Sequence, residues 1–563
     1  MIILEQFTPD VNPLGSQWLS ALVAVLPIVA MLVTLGVLRW KAHNAAIFSW
    51  GVALLVAIFA FKMPVITSLS ASAQGFLYGL FPIVWILLTA IWMYEVTVAS
   101  GRFEDLRRTF FLISDDPRVV GLIIAFCFGG LLEALAGYGA PVAITAAMLI
   151  AVGFSPVRAA MVALLANTVP VAFGAVGLPV VVAADVAQLD VMAISPITGR
   201  ITAMLSLVVP FLILLVMDGR KGLKQCWPIG LVIGLSFGAT KWVVSSTPLF
   251  NLTEMFAAVV SVAITLVFLR FWKPSGSAEV APRISVLLAP EVEQKWVPKK
   301  ASDGDAPELT GSRIFMALVP YIMVIVVFGI AAIPAIKSFL KSLDVSWAWP
   351  LLDGLMTYDG KKAAHQAYTL LWASSPGILL AFVALATGIV YRMSISEIFT
   401  VLGKNVMKMR FSALTIGFVV ALAYVMGDSG QTLALGLFIA GAGAFYAALS
   451  PILGWIGTYV TGSDTSANIL FSGLQSTVGT QIGEGSHLGV QAMRELLVGS
   501  NASGGVVGKM ISPQSLTIAA TSIGLAGAES VILRKVFKWS IVLLLLMCVI
   551  TGLMSTPALS WLI

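Results

Sequence analysis

Charge, cysteine and histidine are all scarce in this chain, and each scarcity removes a class of function. Only three cysteines occur in 563 residues, Cys127, Cys226 and Cys548. They lie in or beside apolar stretches without paired spacing, so neither a disulfide framework nor a metal site is indicated. Three histidines (His43, His365 and His487) and no HExxH pattern leave zinc unsupported. No GxxxxGK[ST] loop occurs, and "GVVGK" at 505–509 lacks its spacing, so nothing points to an ATPase. No nucleophile–base pair suggests an enzyme, and no cofactor is implied. Charged residues make up 11% against 59% hydrophobic, too few to cover the surface of a soluble protein this size. The surface must face lipid, which makes this an all-α polytopic membrane protein. The net charge of +6 implies no nucleic-acid partner, because the basic residues collect in loops between apolar segments.

Long apolar runs are what the chain has instead. A hydrocarbon core about 30 Å thick needs about 20 residues per helix. Spans are expected at 19–38, 45–61, 76–98, 202–217, 226–246, 252–269, 313–336, 367–390, 411–427 and 537–556. The first run is long enough to span and lacks a preceding n-region, so no cleavable signal is expected. Two blocks, 119–187 and 452–525, are apolar but broken by Gly, Pro, Asn and Ser. Counting these, about 12 spans plus re-entrant or broken helices are expected. Lys/Arg-rich loops place Arg39 and Lys41, the 102–118 loop, "DGRKGLK" (218–224) and 270–312 inside, with both termini outside. Lys337, Lys341, Lys361 and Lys362 conflict with that scheme. Residues 273–312 read as a mobile cytoplasmic linker between two transmembrane halves, 1–272 and 313–563.

The halves look related. Asn167 and Asn501 are each followed by Gly after seven residues (Gly174, Gly508) and by Pro after twelve (Pro179, Pro513). Glu133 and Asp464 precede them, and Pro117 and Pro451 open the two blocks. Inverted repeats with interrupted segments at matching positions point to a transporter's binding site. Inversion requires that 430–449 lie at the interface without crossing, as 103–113 does.

Gly137, Tyr138, Gly139 and Pro141 predict a helix break within 136–141, with Pro141 in the first turn of a new half-helix. Ser463, Asp464 or Thr465 can cap a second half-helix starting near Ser466. Two opposed half-helix N-termini at the midplane suit a small anion. Glu133 is the only charge from Val119 to Val157, and Asp464 the only one from Ser429 to Gly483. Either would repel an anion when ionised and become a hydrogen-bond donor when protonated, the logic of proton–anion symport. The plain alternative is a packing role satisfied by neighbouring hydroxyls or backbone. Lys509, the only charge between Glu495 and Glu529, either holds a substrate carboxylate, neutralises Asp464 or Glu133, or snorkels to the surface. Asn167, Asn501, Thr168, Ser512 and Gln514 suit the oxygens of a hydroxy acid, or serve as helix–helix glue.

Beyond these features, "CFGGLLEALAGYGAPVAITAAMLIAVGF", "NTVPVAFGAVGLP", "VTGSDTSANILFSGLQ" and "GGVVGKMISPQSLTIA" resemble the bacterial L-lactate permease family, whose relatives include glycolate permeases. The amino-terminal "MPV", "YGLFPIVWI" and "MDGRKGLKQCWP" extend the resemblance over most of the chain. The linker, the 340–366 loop and "IGEGSHLGVQAMREL" (482–496) match least. The resemblance implies a proton-coupled importer, in the bacterial inner membrane, of L-lactate and related 2-hydroxymonocarboxylates (D-lactate, glycolate). It also implies inverted repeats with paired re-entrant hairpins. The rival readings are sodium coupling, with oxygens of "GSDTSAN" and "NTVP" as ligands, and a membrane subunit of an ion-pumping complex. Enantiomer preference, stoichiometry and oligomeric state are not legible.

Overall fold

The computed structural model describes residues 6–38, 40–137, 139–294, 308–358 and 360–563. Arg39 and Tyr138, both invoked above, lie outside the described residues, as do 295–307 of the linker.

The first half begins with α1 (Gln17–Val37), α2 (Ala42–Ala60) and α3 (Val65–Ala99). A short α4 (Arg102–Phe110) follows, and then the first broken block. It consists of α5 (117–136), α6 (Ala140–Val152), α7 (Pro156–Ala166) and α8 (Gly174–Ala187). After it come α9 (Val191–Ser245) and α10 (Thr253–Phe268). In the second half α11 (Gly311–Ala331), α12 (Pro376–Val390), α13 (Ile395–Asp428) and α14 (Gln431–Ala440) precede the second broken block. That block is α15 (Tyr446–Thr461), α16 (Asp464–Gly483), α17 (Gly489–Lys509) and α18 (Pro513–Ser522), followed by α19 (Glu529–Met554).

Nine helices among the described residues are long and apolar enough to cross a membrane, or ten with α7 and α8 counted as one bent span. The 55-residue α9 is itself a hairpin. Its backbone leaves helical geometry at Asp218 and Gly219, and the arms then run antiparallel, with Gly238 against Ala203 and Gly234 against Ser206. The expected spans 202–217 and 226–246 are these arms. Where a span was expected at 76–98, α3 begins at Val65 and kinks at Phe81. It lies antiparallel along α13: Gly79 meets Gly417, and the Trp92 indole N–H donates to the Ile398 carbonyl at 3.0 Å.

Two expectations need correction. Residues 367–390 do not form one span. Ala367–Leu370 is a strand, paired antiparallel with Val345–Ala348 over α3, where Gln74 donates to the Ala367 carbonyl at 2.9 Å. The helix starts only at Pro376, because proline fits a first turn and the Ser375 side chain caps it. Nor are residues 273–294 a free linker. Arg283 binds Asp218 at 2.7 Å, and the Ser277 hydroxyl donates to Asp116 at 2.7 Å. Glu293 accepts the Val157 amide at 2.9 Å, and the Ser155 amide donates to the Ile284 carbonyl at 3.1 Å. Buried Arg118 completes this network by binding both Asp116 and Asp218. Burial raises the Asp116 pKa, yet the hydrogen bonds from Arg118 and Ser277 outweigh it and hold the carboxyl below the usual range. Residues 116–118, 218 and 277–283, from the loops 102–118, 218–224 and 270–312 expected on one side, thus meet at one end of the bundle, and Arg313 binds Asp105 of the first loop at 2.9 Å.

Candidate functional site

Both broken blocks turn back where expected. Helix α5 ends at Ala136, and Gly137 and Gly139 then take positive φ of 41° and 86° before α6 starts with Pro141 in its first turn. A side chain at 139 would meet both left-handed strain and Ile518, whose Cδ1 would lie 2.2 Å from a Cβ there. In the second block α15 ends at Thr461 and α16 starts at Asp464. Ser463 is the cap, accepting the Ser466 amide at 3.3 Å, so the half-helix begins two residues before the expected Ser466.

The two hairpin tips and the two helix breaks meet around one small cavity of about 50 Å³. Gly139, Leu178, Ser463 and Gln514 mark four half-helix N-termini on its wall, those of α6, α8, α16 and α18. Each presents free N–H groups and part of a positive charge. Glu133, Gly137, Asp464, Thr465 and Lys509 line the same space, with Leu87, Ile416 and Ile518 as its apolar side.

The charges inside it are paired unequally. The Lys509 ammonium donates to Glu133 Oε1 at 2.6 Å, and the Asn167 amide donates to Glu133 Oε2 at 2.9 Å. Glu133 is 2% exposed and Lys509 7%, so this lysine does not snorkel. Of the two candidate partners it takes Glu133, across 376 residues of chain. Asp464, 3% exposed, has a long hydrogen bond from Thr458 at 3.4 Å on Oδ1. Its Oδ2 has no hydrogen-bond partner among the described residues.

Several expected residues stand elsewhere. Asn167 is behind Glu133 and positions it. The Thr168 hydroxyl donates to the Leu165 carbonyl. Ser512 caps α18 and accepts the Ser515 amide at 3.2 Å, while Ser515 itself lines the cavity. Asn501 is in mid-helix, donating to Asn468 at 2.9 Å and accepting from Gln475 at 3.3 Å, so it is interhelical glue. The proposed match of Asn501 to Asn167 is therefore displaced. The glycines after Asn501 do not break α17; they admit α15, since a Cβ on Gly504 would lie 2.1 Å from the Pro451 carbonyl oxygen. The second break falls at 510–512, directly after Lys509, as the first falls after Ala166.

The sequence reading missed Lys241, an ion-pair partner of Glu254 behind the first break. The signal was present, because Lys241 is the only charge between Lys224 and Glu254. It also missed Tyr78, whose hydroxyl donates to Asp185 at 2.6 Å.

The family described as L-lactate permease matches residues 20–556. The L-lactate permease of Bacillus subtilis strain 168 is 36% identical, over 99% of this chain and 100% of its own. The glycolate permease GlcA of Escherichia coli K12 is 37% identical, over 96% and 97%. The L-lactate permease of the same strain is 36% identical, over 98% of both chains. This multi-pass membrane protein belongs to the L-lactate permease family.

Proposed function

We propose that the chain imports L-lactate and related 2-hydroxymonocarboxylates, D-lactate and glycolate among them, across the bacterial inner membrane by proton symport. The names of its relatives support the substrate class. The Lys509–Glu133 pair, placed among four half-helix N-termini, carries the coupling. Glu133 occupies the ammonium that a carboxylate needs. A proton added to Glu133 ends that claim, and Lys509 then turns its N–H donors to the substrate carboxylate. One proton and one anion enter together, so the charge of the buried site is unchanged, which limits the penalty of burying an ion. Asp464, with its open Oδ2, is the group we assign to the substrate hydroxyl. In proteoliposomes holding only this chain, in sodium-free buffer, an inward proton gradient is expected to drive accumulation of labelled L-lactate, with cold glycolate and D-lactate competing. Uptake that requires sodium overturns proton coupling. A purified chain that is inert supports the complex-subunit reading instead.

Gly505 tests the part given to Asp464. Alanine is favoured over glycine inside a helix by about 1 kcal/mol, so Gly505→Ala does not weaken α17 by propensity. Its Cβ would, however, fall 1.8 Å from Asp464 Oδ1 and 2.7 Å from Thr458 Oγ1. Lactate affinity is expected to drop with the helix content intact. Unchanged affinity would remove Asp464 from the site.

We also infer that the halves are inverted repeats. In each, a long helix (α3 or α13), a short one (α4 or α14), a hairpin and a broken helix follow in the same order, and α3 and α13 are antiparallel. At 10 residues α14 is about 15 Å long, half the hydrocarbon thickness, which suits an interfacial position. Ala151→Cys and Glu484→Cys, both exposed beside the hairpins, are expected to react with impermeant label from opposite faces. Reaction from one face overturns the inversion.

A further inference from the structure

We infer that Lys241 and Glu254 are a positioning pair, which holds the first core helix open at its break and so fixes the Glu133 side of the cavity. The inference rests on the transport reading above and adds residues to it. Between Asn167 and Gly177, which takes in the kinked start of α8, the chain departs from regular α-helix. It makes a short 3₁₀ turn at Val171–Phe173, and Ala175, Val176 and Gly177 then take positive φ. Carbonyls freed from a helix at membrane depth need donors from elsewhere. Lys241 supplies one: its ammonium donates to the Val169 carbonyl at 2.7 Å and lies 5.3 Å from the centre of the Phe173 ring. Thus one side chain grips two points of the break. Glu254 ion-pairs with that ammonium, and both residues are 0% exposed. The loop that leads to Glu254 also touches the far end of the break, where Asn251 Cα would lie 3.2 Å from a Cβ on Gly177.

A lone carbonyl needs only a hydroxyl or a water, and a buried ion pair adds little net stability over apolar packing. Geometry is the better account of why two charges sit here. The stretch they hold carries two neighbours of Glu133. Asn167 donates to its Oε2, and a Cβ on Gly174 would lie 2.9 Å from its Oε1. Displacing the stretch therefore turns the Glu133 carboxyl relative to Lys509. The second break, at 510–512, is closed differently, by the cap that Ser512 provides from within.

The experiment is a double-mutant cycle on lactate uptake in proteoliposomes. Lys241→Met combined with Glu254→Gln leaves no unpaired charge, so the protein is expected to fold, as judged by its thermal melt. KM for L-lactate should rise about tenfold with Vmax within about twofold, the loss of one charged hydrogen bond's worth of binding. Adding Asn167→Ala to that variant should change KM no further, because both changes act through Glu133. If the first variant does not survive purification, Lys241→Leu with Glu254→Leu, which replaces the buried pair by apolar groups, carries the same cycle. A folded variant with wild-type KM, or effects that simply add, would overturn the positioning role. Wild-type protein that takes up no lactate would instead contradict the transport reading.

Discussion

Lys509→Ala is expected to weaken lactate binding about ten- to a hundredfold, because a charged hydrogen bond contributes roughly 1.5–3 kcal/mol. The structure adds a second consequence. The substitution leaves Glu133 buried with only the Asn167 amide. Removing one partner of a buried ion pair destabilises by about 3–5 kcal/mol, whereas replacing both with neutral groups is often harmless. Lys509→Ala with Glu133→Gln should therefore regain thermal stability but not affinity. Asp464→Asn, which would have been the compensating change had Lys509 paired with Asp464, should rescue neither. Lys509→Arg keeps the charge in a different shape and should be partly impaired. Calorimetry on purified Lys509→Ala decides the matter, and unchanged affinity would remove this residue from the site.

Glu133→Gln should separate accumulation from exchange. A gradient of one pH unit is worth 1.36 kcal/mol, so a carrier moving one proton per anion can concentrate lactate up to about tenfold across it. Glutamine matches glutamate in size and still accepts from Lys509, and the Asn167 amide can rotate to present its oxygen. Binding and counterflow of labelled against unlabelled lactate should survive. Accumulation driven by pH should fall towards a ratio of about one, since no proton travels with the anion. Full accumulation by the variant would sink the coupling role of Glu133.

Much of this molecule was legible along the chain. The apolar runs announced the spans, and Gly137, Gly139 and Pro141 announced the first hairpin tip. Glu133, Asp464 and Lys509 stood out because each is alone in a long apolar stretch. Lys241 carried the same mark and was passed over inside an ordinary-looking span. Glycine was the least faithful signal. It marks a break at Gly137 and Gly139, yet at Gly504 and Gly508 it marks close helix packing, and that difference displaced the match between Asn167 and Asn501.

Such signals are local. A charge in an apolar run, or a proline that removes a donor, has consequences set by a few neighbouring residues and the lipid around them. Class, most spans and the hairpin tips follow from that alone. Partner choice does not, because which faces meet depends on the packing of all the helices together. Only the tertiary structure gave Lys509 to Glu133 rather than to Asp464, set Lys241 under the Val169 carbonyl, docked residues 273–294 on the charged end of the bundle, and buried Asn501 between helices. A buried polar group must find its partner wherever the packed helices bring one within about 3 Å, however far along the chain that partner lies.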